Sequence, residues 1–258
     1  MMDLGLRNRR ALITGGSRGI GRAIAGLMAR EGAKVAVTYC NDRVRAESVA
    51  RDLRDLGAED TISSRLDLES EDSICETVQT ITERWGSIDI LVGNAVKWGP
   101  RITGSGATSQ DVSMREWQKL IRANIEGSYN VMKEVLPGMK RSAWGRIVLV
   151  SSSFAVDGAP ASLDWYAAAK SALHGLIRSQ HRDLARAGIL INAVMPGLTL
   201  TEHVLRNFPP LLRAASEQRS PLGRLLRPEE VASVVAFLCS NLNTGIVGEI
   251  VRTGGSGS

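Results

Sequence analysis

Short apolar runs alternate with amphipathic stretches along nearly the whole chain, and no other feature narrows the possible folds so far. The apolar runs are ALIT from Ala11, KVAVTY from Lys34, IDILVGN from Ile88, RIVLVSS from Arg146, ILINAV from Ile189 and GEIV from Gly248. Each has the length and β-branched content of a strand. Between them, IGRAIAGLMAREG from Ile20, DRVRAESVARDLRDLG from Asp42 and SEDSICETVQTITERWG from Ser70 carry apolar residues at helical spacing. Each ends on a glycine, which suits a helix stop. Strands joined through helices lie parallel, and the helices cover both faces of the resulting sheet. No repeat, linker or low-complexity segment divides the chain. Residues 1–258 therefore read as a single α/β domain, doubly wound, with a mostly parallel sheet and helices on both faces.

Composition excludes several function classes. A chain of 258 residues with 43% apolar content buries a full core unaided. The formal charge of +5 is spread among interspersed Lys, Arg, Asp and Glu, without the basic tail or stripe of a nucleic-acid binder. Cys40, Cys75 and Cys239 lie far apart, so neither a disulfide framework nor a metal site is expected. A short polar lead enters the first strand directly, and no apolar run reaches membrane-spanning length, which together predict a cytoplasmic protein.

The segment TGGSRGIG, residues 14–21, follows the first strand and opens the first helix. Gly15, Ser17, Arg18, Gly19, Ile20 and Gly21 thus fall where a backbone must turn tightly and approach a pyrophosphate facing a helix N-terminus. In dinucleotide folds an acidic residue ending the second strand accepts the adenosine ribose hydroxyls. Tyr39 takes that place here, with Asn41, Asp42 and Arg43 following it. Arg18 and Arg43 can flank a ribose 2′-phosphate, since a guanidinium matches phosphate in a planar fork. The pattern points to NADP(H).

Tyr166 and Lys170, in WYAAAKSALHGL from Trp165, share one face of a predicted helix. A neighbouring cation favours a phenolate and brings the phenol, ordinarily near about 10, toward acid–base work at neutral pH. Just upstream the strand RIVLVSSS ends in Ser151, Ser152 and Ser153, one of which can hold a carbonyl oxygen. Counting along the strand points to Ser152.

Taken in order, TGGSRGIG, LDL at 66, GNA at 93, RANIEG at 122, VSSS, YAAAK and VMPG at 194 resemble the short-chain dehydrogenase/reductase family over essentially the whole chain. The resemblance implies a Rossmann-type fold and a ketoreductase-like activity. It makes Tyr166 the general acid/base and Lys170 the residue that lowers its pKa and grips the nicotinamide ribose. Ser152 becomes the carbonyl-binding serine, and Asn124 the asparagine whose backbone positions a water for proton relay. It further implies adenine contacts at Asp67 and Leu68, a cofactor-lining segment at Asn94 and Ala95, and carboxamide contacts around Pro196, Gly197, Thr199 and Thr201. Counting back from Tyr166 by the usual family spacing points instead to Ser153. Val96 and the Arg252-Thr253-Gly254-Gly255 terminus depart from the family pattern.

The resemblance also implies a homodimer or homotetramer built through the long helices near Asn124 and Tyr166. Segments 96–113 and 197–223 follow strand ends and read as substrate loops. Their Trp98, Pro100, Phe208, Pro209, Leu211 and Leu212 suggest a roomy apolar pocket for a polycyclic or polyketide-like ketone. A 3-oxoacyl thioester or a simple alcohol is the alternative substrate, and a non-catalytic dinucleotide-binding regulator is the alternative from another class.

Overall fold

Successive residues of the central strands supply opposite faces of the sheet, as strand pleating requires. In β1 (Arg10–Ile13) Ala11 and Ile13 join one apolar core while Leu12 joins the other. Strand β4 (Ile90–Gly93) divides Ile90 and Val92 from Leu91, and β5 (Gly145–Val150) divides Val148 and Val150 from Ile147 and Leu149. The first core is closed by α1 (Gly19–Arg30), α2 (Arg43–Asp55) and α10 (Pro228–Cys239). The second is closed by α3 (Glu71–Trp85), α5 (Gly127–Ser142) and α7 (Asp164–Arg186). This is why these strands are nearly continuous apolar runs: neither face meets water.

The computed structural model describes residues 3–99, 109–159 and 163–254. Seven strands form one sheet in the order β3-β2-β1-β4-β5-β6-β7, and every pairing is parallel. Here β2 is Lys34–Tyr39, β3 Asp60–Arg65, β6 Ile189–Pro196 and β7 Ile250–Thr253. The chain steps outward from β1 through β2 to β3, then returns to the other side of β1 with β4. That reversal opens a crevice at the carboxyl ends of β1 and β4, where open sheets of this kind bind ligands. Among the described residues no helix is long and apolar enough to cross a membrane.

One strand is absent from the sequence reading. Edge strand β3 (Asp60–Arg65, DTISSR) buries only Thr61 and Ile62, too few apolar positions for a periodic signal. Hydroxyl groups tie its end to α3 instead: Thr77 Oγ1 donates to the Arg65 carbonyl at 2.7 Å and pairs with Ser64 Oγ at 3.1 Å.

Of the expected substrate segments, residues 100–108, including Pro100, lie outside the described residues. The second folds into α8 (Glu202–Asn207) and α9 (Pro210–Arg219). Its apolar cluster is split. Phe208 lines the crevice, whereas Leu211 and Leu212 are 84% and 47% exposed and face away from it. RANIEG sits inside a long helical run as a π turn, Arg122–Glu126, between α4 (Met114–Ile121) and α5.

Candidate active site

The glycine loop is held from the opposite side of the switch point. Asn94, just past β4, donates from Nδ2 to the carbonyls of Thr14 (3.0 Å) and Gly15 (3.2 Å). Thr14 Oγ1 in turn accepts from the Asn94 and Ala95 backbone at 2.9 and 3.0 Å. Thr14 carries this clamp yet looks in the sequence like one more strand residue. Gly15 (φ 63°) and Gly19 (φ 53°) occupy the left-handed region that a side chain resists. At Gly21 an added Cβ would stand 2.5 Å from the Gly15 carbonyl oxygen and 2.6 Å from Asn94 Nδ2. Gly21→Ala is therefore expected to lower stability by roughly 1–3 kcal/mol and to weaken cofactor binding, read by urea unfolding and by titration with NADPH. Wild-type behaviour in both would mean the loop relaxes freely.

Beyond this loop lies a cavity of about 370 Å³. Of the sequence-derived cofactor positions, Gly15, Ser17, Arg18, Gly19, Ile20, Tyr39, Asn41, Asp67, Leu68, Asn94, Ala95, Pro196, Gly197, Thr199 and Thr201 line it, as does Val96. Gly21 lies beneath the loop. Arg43 does not line the cavity. Asp42 caps α2 by accepting from the Arg45 backbone at 3.0 Å, so Arg43 starts the helix on its outer face and pairs with Glu47 at 2.6 Å. Two residues on, the helix has turned and Arg45 meets the cavity wall.

At the other end Ser152, Tyr166 and Lys170 converge. The Ser152 hydroxyl stands beside the Tyr166 phenol and draws its pKa down, whereas Ser153 begins the short helix α6 (Phe154–Asp157). Lys170 is buried and donates from Nζ to the Val150 carbonyl at 2.6 Å, 5.7 Å from the centre of the Tyr166 ring. The electrostatics differ from the sequence expectation. Burial pushes the phenol up to about 12 against the pull of Ser152, and burial pushes the Lys170 ammonium down to about 8. The ammonium is occupied by a carbonyl and does not draw the phenol down. Tyr166 is thus a phenol holding its proton, the state of an acid.

Asn124 is brought near but not to the cavity wall. Its side chain grips the backbone of Lys97, accepting from the N–H at 3.0 Å and donating to the carbonyl at 2.9 Å, and it also donates to Leu120. Its own carbonyl accepts from Ser128 Oγ at 2.8 Å. The π turn sets this side chain against the segment leaving β4.

Three features escape sequence reasoning. Trp98 stacks near-parallel on Tyr166 (5.0 Å between ring centres) and on His203 (4.6 Å). Trp165 and Phe154 meet the Tyr166 ring edge-on. Behind the site His174 Nε2 meets Ser151 Oγ at 2.7 Å, both groups buried, pinning the end of β5 to α7 one turn beyond Lys170. The His174 spacing from Lys170 was visible, but nothing in the sequence names its partner.

Known proteins match this chain over nearly its whole length. A family described as enoyl-(acyl carrier protein) reductase matches residues 15–255. The chain is 34% identical over 258 residues to the 3-oxoacyl-acyl-carrier-protein reductase FabG of Aquifex aeolicus, covering 98% of this chain and 99% of that protein. It is 32% identical over 252 residues to the reductase of the same name from Staphylococcus epidermidis, covering 96% and 98%. Among solved structures, a short chain dehydrogenase from Burkholderia cenocepacia in complex with NADP superposes with a TM-score of 0.86 at 29% identity over 98% of each chain. A dehydrogenase/reductase from Sinorhizobium meliloti gives 0.86 at 28% identity, covering 97% of this chain and 95% of that one. With the ordered motifs, the seven-stranded parallel sheet and relatives above 30% identity along their full length, the chain belongs to the short-chain dehydrogenase/reductase family.

Proposed function

We propose that this protein is an NADPH-dependent ketoreductase, with Tyr166 as proton donor. The observation carrying this reading is the convergence of Ser152, Tyr166 and buried Lys170 on one cavity wall, at the carboxyl end of the sheet where a ligand crevice opens. The remaining walls suit the cofactor. Left-handed glycines at 15 and 19 leave backbone exposed at the N-terminus of α1, and Arg18 and Arg45 supply two cations at the adenosine end. The complex of the Burkholderia relative with NADP supports the same choice.

NADPH would supply the hydride. The chain's own residues do the rest: the Ser152 hydroxyl donates to the ketone oxygen, and Tyr166 delivers its proton there as negative charge develops. Lys170, fixed by the Val150 carbonyl, holds a cation close to both. Alcohol oxidation would use the same groups in reverse.

For substrate we favour a 3-oxoacyl thioester, the substrate class in the names of the relatives. A flat polycyclic or polyketide-like ketone is the second reading, because the near-parallel rings of Tyr166, Trp98 and His203 form a surface on which a planar ligand can stack. Assembly as a homodimer or homotetramer through α5 and α7 belongs to the same proposal. The test is NADPH consumption by the purified protein with acyl thioester, small aliphatic and polycyclic ketones. We expect turnover of the thioesters, preferring NADPH to NADH. Turnover of polycyclic ketones alone would select the second reading. Tight NADPH binding with no turnover on any ketone would favour a binding protein.

A further inference from the structure

The adenosine end and the catalytic end of the cavity are joined by two adjacent residues of α8. Glu202 Oε2 accepts from Arg45 Nη2 at 2.8 Å, linking the start of α8 to the first turn of α2. The next residue, His203, stacks on Trp98, which stacks on Tyr166. The start of α8 also abuts the glycine loop: an added Cβ at Gly19 would lie 3.3 Å from Thr201 Cγ2, and Thr201 caps α8 through Val204. Arg18 has no carboxylate partner among the described residues, so of the two cations on this wall one is available and one is engaged.

We infer that Glu202 acts as an internal anion at Arg45, competing with the 2′-phosphate of NADPH, and so helps set both cofactor selectivity and the hold on α8. The inference rests on the NADPH reading above. A phosphate dianion can take the guanidinium from a carboxylate, whereas the 2′-hydroxyl of NADH cannot. The two cofactors therefore differ in whether the Arg45–Glu202 tie survives binding. Linkage makes the effect reciprocal: whatever the tie subtracts from NADPH affinity, NADPH subtracts from the hold on α8. Loosening α8 frees His203 from Trp98, which stacks on the proton donor. Glu202 is thus a specificity-determining residue that acts through the cation it occupies.

The full-length protein tests this by calorimetric dissociation constants for NADPH and NADH, in wild type, Glu202→Gln, Arg45→Gln and the double variant. Both side chains are partly exposed, so the fold should tolerate these changes. Glu202→Gln is expected to tighten NADPH by about two- to fivefold, the range of a partly exposed ion pair, with little change for NADH. Arg45→Gln should weaken NADPH, and in that background Glu202→Gln should have no further effect. Hydrogen exchange across residues 202–207 should quicken with NADPH and not with NADH. An unchanged NADPH constant in Glu202→Gln, equal tightening for both cofactors, or tightening that persists without Arg45 would overturn the inference. Tighter wild-type binding of NADH than NADPH would instead overturn the cofactor reading on which it stands.

Discussion

Tyr166→Phe should cut turnover by roughly 100- to 10,000-fold, the usual contribution of a positioned proton donor, while NADPH binds as in wild type. That loss corresponds to about 3–5 kcal/mol of transition-state stabilisation. The substitution is unusually clean in this structure. Phenylalanine keeps the ring that Trp98 stacks on at 5.0 Å and that Trp165 and Phe154 meet edge-on, so the packing around the site survives. Only the hydroxyl and its interaction with Ser152 disappear, and Ser152 Oγ still accepts from the Phe154 backbone at 3.3 Å. Steady-state kinetics and cofactor titration on one preparation separate the two effects. A fall in kcat with an unchanged cofactor constant assigns the proton to Tyr166. Retained turnover would move that role elsewhere, and a parallel loss of cofactor affinity would mean the phenol binds more than it reacts.

How far the sequence revealed all this follows from what each feature depends on. Strands buried on both faces announce themselves as apolar runs, so six were legible, while β3 hides its role in hydroxyl bonds between Thr77 and Arg65 that leave no pattern. The glycine loop and the Tyr166–Lys170 spacing were legible because local backbone geometry dictates them. Which arginine of α2 faces the cavity was not, because choosing between Arg43 and Arg45 requires knowing that Asp42 is the cap that starts α2. Side-chain pairings across the fold, such as Trp98 with His203 or Arg45 with Glu202, bring together residues remote in sequence and leave no local trace. The direction of the Tyr166 shift was not legible either, because burial pushes the phenol up and the ammonium that spacing assigns to it is bonded to the Val150 carbonyl.

That carbonyl bond leads to the second large effect, in which Lys170 is expected to be needed for catalysis and costly to the fold. Burial pushes its ammonium from an ordinary value of 10.5 down to about 8, so the folded state resists the charge that the unfolded chain carries readily. Between pH 8 and 10.5 the unfolded chain binds the extra proton, and stability must rise with pH across that window. Below it the full penalty is present, about 3 kcal/mol from the size of the shift. Lys170→Met keeps the length of the side chain and removes the charge, but leaves the Val150 carbonyl without its donor at a cost of about 1–3 kcal/mol. The variant should therefore be no less stable than wild type at pH 7, with a gain of up to about 2 kcal/mol, a flatter stability profile between pH 8 and 10.5 and a kcat reduced at least as far as in Tyr166→Phe. Urea unfolding across that range, beside turnover at pH 7, reads both arms. A variant less stable than wild type at neutral pH would show that the Val150 bond outweighs desolvation. A more stable but inactive one would show a cation retained in the protein interior for its chemistry, against the preference of the fold.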